Sequence, residues 1–568
     1  MITDSAEERS YDARAITTRP PNCTRGALQA EIQLRRATSL SGNTSLLKGN
    51  VTALSSENSE DRDSLPPLEG SSMSSLWLDT QSVRNPARGP LPPGSHWDSV
   101  VVGAGLTGLT TAVLLARSGQ QVAVVEARRV GAVATGNTTG KVSLLQGGNL
   151  SAIRSARSAE VLQAYVDGNR EAQSWLLRYL HERGVEYQRR PAYVYADSSA
   201  GLGTLEDELE ACREVGLDVH WADAAELPYP VAGAVELADQ AQIHPTAVLQ
   251  SLTDELLERG GLIFEGIRVV GAGSGQPVAV KTSAGDVTAD HLVLATGAPV
   301  LDRGGHFARM KGLRSYAQAY RLPRNMSVPQ GMYLGLDTPG RSLRSAPAYG
   351  EEFLVVGGNG HEVGRAGSHA EAQRDLERWT LEHFPGAERT HAWSAQDYRP
   401  ADSVPYFGLL PHCGGSIYVA TGFNKWGMTN GVAAALAITA QILGGHMPWA
   451  ETLSGRSPSV RGLLTGVKDN TSVGARMTRD WVQAELKPLS EESPAEGEGV
   501  VGRVRGRPVG VSTVNGVTRR ISAVCPHMGG VVTWNDAECS WDCPLHASRF
   551  AADGEVLEGP AVENLEPK

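Results

Sequence analysis

Asp98-Ser-Val-Val-Val-Gly103-Ala-Gly105-Leu-Thr-Gly108-Leu-Thr-Thr-Ala112 reads as a buried strand, a glycine turn and a helix. Gly103 makes the turn, Gly105 lets the backbone approach a pyrophosphate, and Gly108 lets helix and strand pack closely. The start of the helix adds free N–H groups and a positive dipole end for the phosphates. A second strand, Val122 to Val125, ends in Glu126, whose carboxylate can accept hydrogen bonds from ribose hydroxyls. A lone GxGxxG is a weak signal. Strand, helix, second strand and acid in register specify a dinucleotide-binding α/β unit.

Three further segments bear on which dinucleotide. Right after Glu126 comes a small-residue loop containing Gly136, Asn137, Thr138, Thr139 and Gly140. His291-Leu-Val-Leu-Ala-Thr296-Gly297 is a strand ending in a glycine turn. Tyr418-Val-Ala-Thr421-Gly422-Phe423-Asn424-Lys425-Trp426-Gly427-Met428 delivers a second such turn into a helix from Thr429 to Leu443. In this order, over roughly residues 73–486, these boxes resemble the glycine oxidase and D-amino acid oxidase superfamily. The resemblance implies FAD, with the 136–140 loop wrapping the flavin and the last turn closing over its pyrimidine ring. It also implies a helix N-terminus near flavin O2, which favours an anionic reduced flavin. NAD would not require the last two boxes.

Near the end of the chain stand Cys525-Pro-His527 and Cys543-Pro-Leu-His546. Two thiolates can hold one iron of a [2Fe–2S] cluster and two imidazoles the other. A tetrahedral zinc ion is the rival occupant. The flanking Gly529-Gly530, Trp534-Asn535, Ser540-Trp541-Asp542, Ala547-Ser548-Arg549-Phe550, Asp553-Gly554 and Gly559-Pro560-Ala561 resemble the Rieske family. That resemblance implies that Cys525 and Cys543 ligate one iron, and His527 and His546 the other. Respiratory-type members carry a disulfide at places held here by Gly530 and Leu545. High-potential members place Ser and Tyr hydroxyls on the cluster, where this chain has Ser548 but Phe550. Fewer donors imply a potential in the lower to middle part of the Rieske range.

At 568 residues the chain exceeds one core. The expected architecture is an α/β FAD-binding Rossmann-type domain with an inserted α+β substrate domain, followed by a small all-β Rieske domain. Residues 1–72 are polar and aperiodic and are expected to be disordered. Met73-Ser-Ser-Leu-Trp-Leu-Asp resembles how relatives begin, so Met73 is a candidate start, and 73–97 is expected as a linker. The flavoprotein runs over 98–486, with insertions at about 186–235 and 306–395. An acidic linker follows at 487–499, then the Rieske unit at 500–568. Residues 150–185 and a segment opening at His244-Pro245 have helical periodicity, and Ser368 to His383 is the expected helix of the second insertion. The segment Arg461 to Val482 is expected to pack back on the flavin domain.

A net charge of −11 argues against nucleic acid and anionic membrane surfaces. The longest apolar run, Val432 to Leu443, is too short to span a bilayer, and no signal peptide is seen. Cys23, Cys212, Cys413 and Cys539 show no disulfide spacing, which suits a cytoplasmic location.

A flavin carries its own redox chemistry, so the protein needs mainly to position substrate and tune charge. Catalytic candidates are Lys425, Tyr316 and Arg314, with Tyr349, His361, Asp397, Tyr398, Arg399 and Asn424 nearby. Arg314 or Arg399 could bind a substrate carboxylate bidentately. The expected function is two-electron oxidation of a small molecule, an amine or amino acid, coupled through flavin to one-electron transfer by the cluster. A protein or quinone-like species would accept or donate the electrons. The alternatives are a reductase component serving a partner protein, and a Rieske unit acting as a redox sensor or docking module.

Overall fold

The computed structural model describes residues 74–84, 89–224, 226–301, 303–365, 367–456, 489 and 492–568. The expected extension 1–72, the candidate start Met73 and the segment Arg461–Val482 lie outside the described residues.

The nucleotide-binding layer is an eight-stranded sheet. Its main path runs Tyr406–Leu409, Ile417–Thr421, Val287–Leu294, His96–Val102, Val122–Val125 and Leu262–Phe264. The last five of these strands are parallel, Ser99 pairing with Val122 and Val100 with Leu292. Their Val-rich runs are buried on both faces, as a parallel sheet requires. Helices Leu106–Arg117 and Gly427–Ile442 cover one face, with Leu109, Val113, Val432 and Ile438 in the same core. All three glycine boxes therefore open at the carboxyl ends of neighbouring parallel strands.

The substrate domain is built on a nine-stranded sheet led at one edge by Glu388–Pro400. Next to it lies Met310–Arg321, paired on its other side with Glu351–Glu362. The sheet extends past the expected insertions, taking in Lys141–Val142, Gly233–Ile243 and the end of Glu388–Pro400. Side-chain alternation along Met310–Arg321 splits its two faces. Ala317 and Ala319 join a core with Leu76, Trp77 and Trp393, whereas Tyr316 and Tyr320 join one with Leu376 of helix His369–His383.

The stretch expected as a linker contains a short helix, Leu76–Thr80, that buries Leu76 and Trp77. Ser75 caps it, its hydroxyl accepting from Leu78 N and donating to Gly136 O. Trp77 is fully buried; its indole N–H donates to Thr138 O at 2.7 Å, and Thr246 donates to its carbonyl. Its ring meets His244 edge-on and lies under the Arg344 guanidinium. A five-residue helix has no stability of its own; these partners hold it against the loop that carries Gly136 and Thr138. We expect Trp77→Ala to cost about 3–5 kcal/mol and to lower bound flavin, with deletion of 1–80 doing the same and deletion of 1–72 doing neither. Flavin-to-protein absorbance ratios and thermal melts check this; full flavin content after deletion of 1–80 would contradict it.

The C-terminal unit has a three-stranded sheet, Gly499–Val504, Arg507–Val514 and Val517–Ser522, and a four-stranded one from Thr533–Asn535 to Val556–Glu558. Its first two hairpins turn on Arg505-Gly506 and Asn515-Gly516, all at positive φ, the pairs two-residue turns demand.

Candidate functional site

The three glycine boxes converge on one cavity of ≈ 310 Å³. Gly103, Gly105, Glu126, Asn137, Thr138, Thr296, Gly297, Phe423 and Gly427 line it. The other glycines proposed for the cofactor act one layer back. A Cβ on Gly108 would lie 1.9 Å from Gly103 O, one on Gly136 2.1 Å from Gly131 O, and one on Gly422 2.7 Å from Pro400 Cγ. Gly103, at φ +103°, brings its turn against Ala295, where a Cβ would lie 2.6 Å from the carbonyl oxygen. Thr421 donates to Gly297 O and ties the second box to the third. Glu126 accepts from Ala104 N and Arg128 N, both at 2.8 Å, while burial raises its pKa. This cradle of backbone N–H groups, small residues and a carboxylate at the strand end fits FAD.

Within the third glycine box the turn Asn424-Lys425 holds two consecutive non-glycine residues at φ +49° and +70°. Such strain persists only where the surroundings fix it. Here Asn424 N donates to Tyr398 O, its side chain donates to Asn149, and Lys425 N donates to Asp397. Lys425 opens into the cavity; a Cβ on Gly360 would lie 2.8 Å from its Nζ and 3.1 Å from Ser315 Oγ. Burial lowers the Lys425 pKa, the nearby Asp397 opposing the shift. Burial raises Asp397 to about 6 against hydrogen bonds from Tyr398 N and Lys425 N.

Tyr316 also lines the cavity, but it turns its hydroxyl to His369 Nδ1 at 2.6 Å and stacks on His361, a buried core arrangement. Tyr349 sits at an exposed turn and donates to Asp79. Arg314 was expected to receive a substrate carboxylate and instead receives protein ones. It is 1% exposed, with Nη1 2.7 Å from Glu538 and Nη2 3.0 Å from Glu558, both in the C-terminal unit. Arg549 contacts the same two carboxylates at 2.8 and 2.7 Å and Asp542 at 3.1 Å. The result is a closed ring of alternating charge, with Arg314 its one member from the flavoprotein.

The Cys/His boxes meet at the tip of the C-terminal unit. Cys525 and Cys543 are buried and their thiols bond each other, which lowers Cys525 and raises Cys543. The sulfurs already receive backbone N–H groups: Cys525 from His527, Cys543 from Leu545 and His546; the Ser548 hydroxyl also bonds Cys525. The His527 and His546 rings stand 5.0 Å apart and nearly perpendicular, with Nδ1 of each buried. Among the described residues no group of three or more His, Cys, Asp or Glu side chains is placed to hold one metal ion. Two pairs of ligands with N–H groups aimed at sulfur suit a two-iron cluster better than one tetrahedral ion. A Cβ on Gly530 would lie 2.7 Å from Leu545 Cδ1, so apolar contact occupies the place where relatives have a disulfide. Phe550 is fully buried in the core with Trp541 and Val532.

Residues 98–441 match the family model described as FAD dependent oxidoreductase. The chain belongs to the FAD dependent oxidoreductase family. Residues 486–567 match the Rieske [2Fe-2S] domain, so the oxidoreductase carries a C-terminal Rieske unit and takes FAD and a [2Fe–2S] cluster. It is 30% identical over 489 residues to YhfW of Bacillus subtilis (strain 168), described as a Rieske 2Fe-2S iron-sulfur protein, covering 84% of this chain and 94% of that one. It is 24% identical over 354 residues to the gamma-glutamylputrescine oxidoreductase of Escherichia coli (strain K12), covering 58% of this chain and 80% of that one. The glycine oxidase of Geobacillus kaustophilus shares its fold, with a TM-score of 0.53 at 18% identity over 62% of this chain and 96% of that one. No helix among the described residues is long and apolar enough to cross a membrane.

Sequence reasoning missed two parts of the oxidoreductase site. Arg268 and Val269 line the cavity at its Glu126 end, and no local motif marks them. Leu557, Glu558 and Gly559 of the Rieske unit line it too. Nothing in their sequence points at a flavin.

Proposed function

We propose that the oxidoreductase removes two electrons from a small substrate with a C–N bond, an amine or amino acid, and passes them one at a time to its Rieske cluster. The observation that carries this reading is the shared wall: a Rieske strand end forms part of the flavin cavity. The name of the gamma-glutamylputrescine relative supports the substrate class. Bound flavin would supply hydride abstraction and the change from two-electron to one-electron transfer. The chain supplies placement. Lys425 offers a cation beside Ser315 to hold a substrate carboxylate, and Asp397 fixes the Lys425 backbone.

The reading is tested by anaerobic titration of the holoprotein with a panel of amines and amino acids, following flavin and cluster absorbance together. Bleaching of both by one substrate is expected; flavin reduction with a cluster that stays oxidised would remove the coupling. Lys425→Met should weaken an amino acid substrate roughly ten- to hundredfold in KM, the worth of one hydrogen bond to a charged group. Because the Lys425 pKa lies below the ordinary lysine range, its positive charge is lost as pH rises at a lower pH than for a free lysine. KM should therefore climb on the alkaline side in wild type and stay flat in Lys425→Met. A wild-type KM that is equally flat would detach Lys425 from the substrate.

A further inference from the structure

We propose that Tyr398 is the bridge for electron transfer between flavin and cluster, set in a domain contact that does not have to open or close. The inference rests on the reading that the two cofactors exchange electrons. Besides the flavin cavity, a small cavity of ≈ 20 Å³ lies against the cluster ligand His546, walled by Phe307, Met310 and Pro560. Among the described residues Tyr398 is the one that lines both. The other two aromatic residues lining the flavin cavity do not reach the small one: Tyr316 turns its hydroxyl toward His369, and Phe423 packs over Gly427 and Gly431.

Hydrogen bonds tie the Tyr398 hydroxyl to the Rieske unit, once directly and once through Gln396. The hydroxyl donates to Gly559 O at 3.2 Å and accepts from Gln396 Nε2 at 2.8 Å. The same Nε2 donates at 2.8 Å to Ala547 O, the residue after His546. The phenol is thus held by a donor and an acceptor, and burial keeps it protonated. Each transfer oxidises the flavin by one electron and reduces the cluster by one, and no bond within Tyr398 is made or broken.

The surrounding contact is shaped for one position. A Cβ on Gly312 would lie 2.2 Å from the Cβ of Ala547, and one on Gly364 2.8 Å from Pro544 N. The flavoprotein therefore presents glycine seats to both sides of His546. Ala547 itself stands at φ +65°, a strained place for a residue with a Cβ. Asp536 of the Rieske unit accepts from Ser368 Oγ, His369 N and Ala370 N at the start of helix His369–His383. Close approach, ring of charge and cap together hold the Rieske unit in one position against the flavoprotein.

The test is laser-flash photoreduction of flavin in the anaerobic, full-length holoprotein, which needs no substrate. In wild type, flavin reoxidation should match cluster bleaching at a rate independent of protein concentration. Tyr398→Leu should slow this by about tenfold or more, equivalent to a barrier about 1.4 kcal/mol higher, with FAD content, iron content and both midpoint potentials unchanged. Tyr398→Phe, which keeps the ring, should stay close to wild type. If the leucine variant loses a cofactor, Tyr398→Met, whose flexible side chain fills the space, serves the same comparison. A wild-type rate in a fully loaded leucine or methionine variant overturns the bridge. Absence of flavin-to-cluster transfer in wild type would instead sink the coupling on which it rests.

Discussion

Arg314→Met is expected to destabilise the protein by about 3–5 kcal/mol, the cost of removing one partner from a buried ion pair, and to loosen the Rieske unit from the flavoprotein. Arg314 sits on an interior strand of the substrate sheet, and its guanidinium reaches Glu538 and Glu558. Without it, Arg549 alone faces Glu538, Glu558 and Asp542. Denaturant titration followed at the cluster's visible circular dichroism, with proteolysis of the 492–499 connection, reads the effect. Unchanged stability and unchanged cleavage would mean that the ring does not hold the units together. Arg314→Met combined with Glu538→Gln should recover part of the loss, because it removes the uncompensated carboxylate.

The same ring predicts an acid limit. Arg314 and Arg549 hold Glu538 at about 2, against an ordinary value of 4.5. A carboxylate whose pKa is depressed on folding stabilises the fold above its unfolded value and loses that contribution as pH falls through its folded one. In wild type the Glu538 contribution therefore fades between about pH 4.5 and 2. In Arg314→Met its pKa rises, less stability is gained above pH 4.5, and domain release should start at a higher pH.

The parts legible in the sequence are those fixed by local steric or ligand chemistry. A glycine at φ +103° under a phosphate-binding turn admits few substitutes, and two Cys/His boxes fifteen residues apart leave few metal arrangements. The helices at Ala159–Glu182 and Pro245–Glu258 showed as periodicity. Helix Leu76–Thr80 did not, because five residues make no period and its partners, Thr138 and Thr246, lie 61 and 169 positions away. Arg314 was misassigned for the same reason. An isolated arginine carries no mark of what it binds, and its carboxylates lie 224 and 244 residues along the chain. Tyr316 stands two positions further along the same strand, and its membership of the core under helix His369–His383 depended on a pairing that local pattern does not encode. Lys425 was visible because it interrupts a glycine-rich turn. The role of Tyr398 emerges only when two domains are placed side by side.

The largest redox effect is expected from His546→Cys, which should lower the cluster's midpoint potential by on the order of 100 mV or more, toward the all-cysteine range. A neutral imidazole becomes a thiolate, so the oxidised cluster gains one negative charge and resists accepting another. The surroundings give that charge little relief. The His546 ring meets Phe307 edge-on at 5.1 Å, and the cavity beside it, ≈ 20 Å³, has room for little water. The existing donors already serve the sulfurs: Ser548 and the backbone of His527 on Cys525, and the backbone of Leu545 and His546 on Cys543. For a one-electron couple each 59 mV is tenfold in equilibrium, so the drop should shift the flavin–cluster equilibrium against transfer by about fiftyfold or more while flavin reduction by substrate continues. Protein-film voltammetry measures the shift, and electron paramagnetic resonance of the reduced protein should show its average g moving toward the plant-ferredoxin value. His527→Cys, at the other imidazole, should act in the same direction, and it keeps the test open if the first variant fails to assemble. An intact cluster whose potential stays at the wild-type value in both variants would show that these imidazoles do not hold its iron.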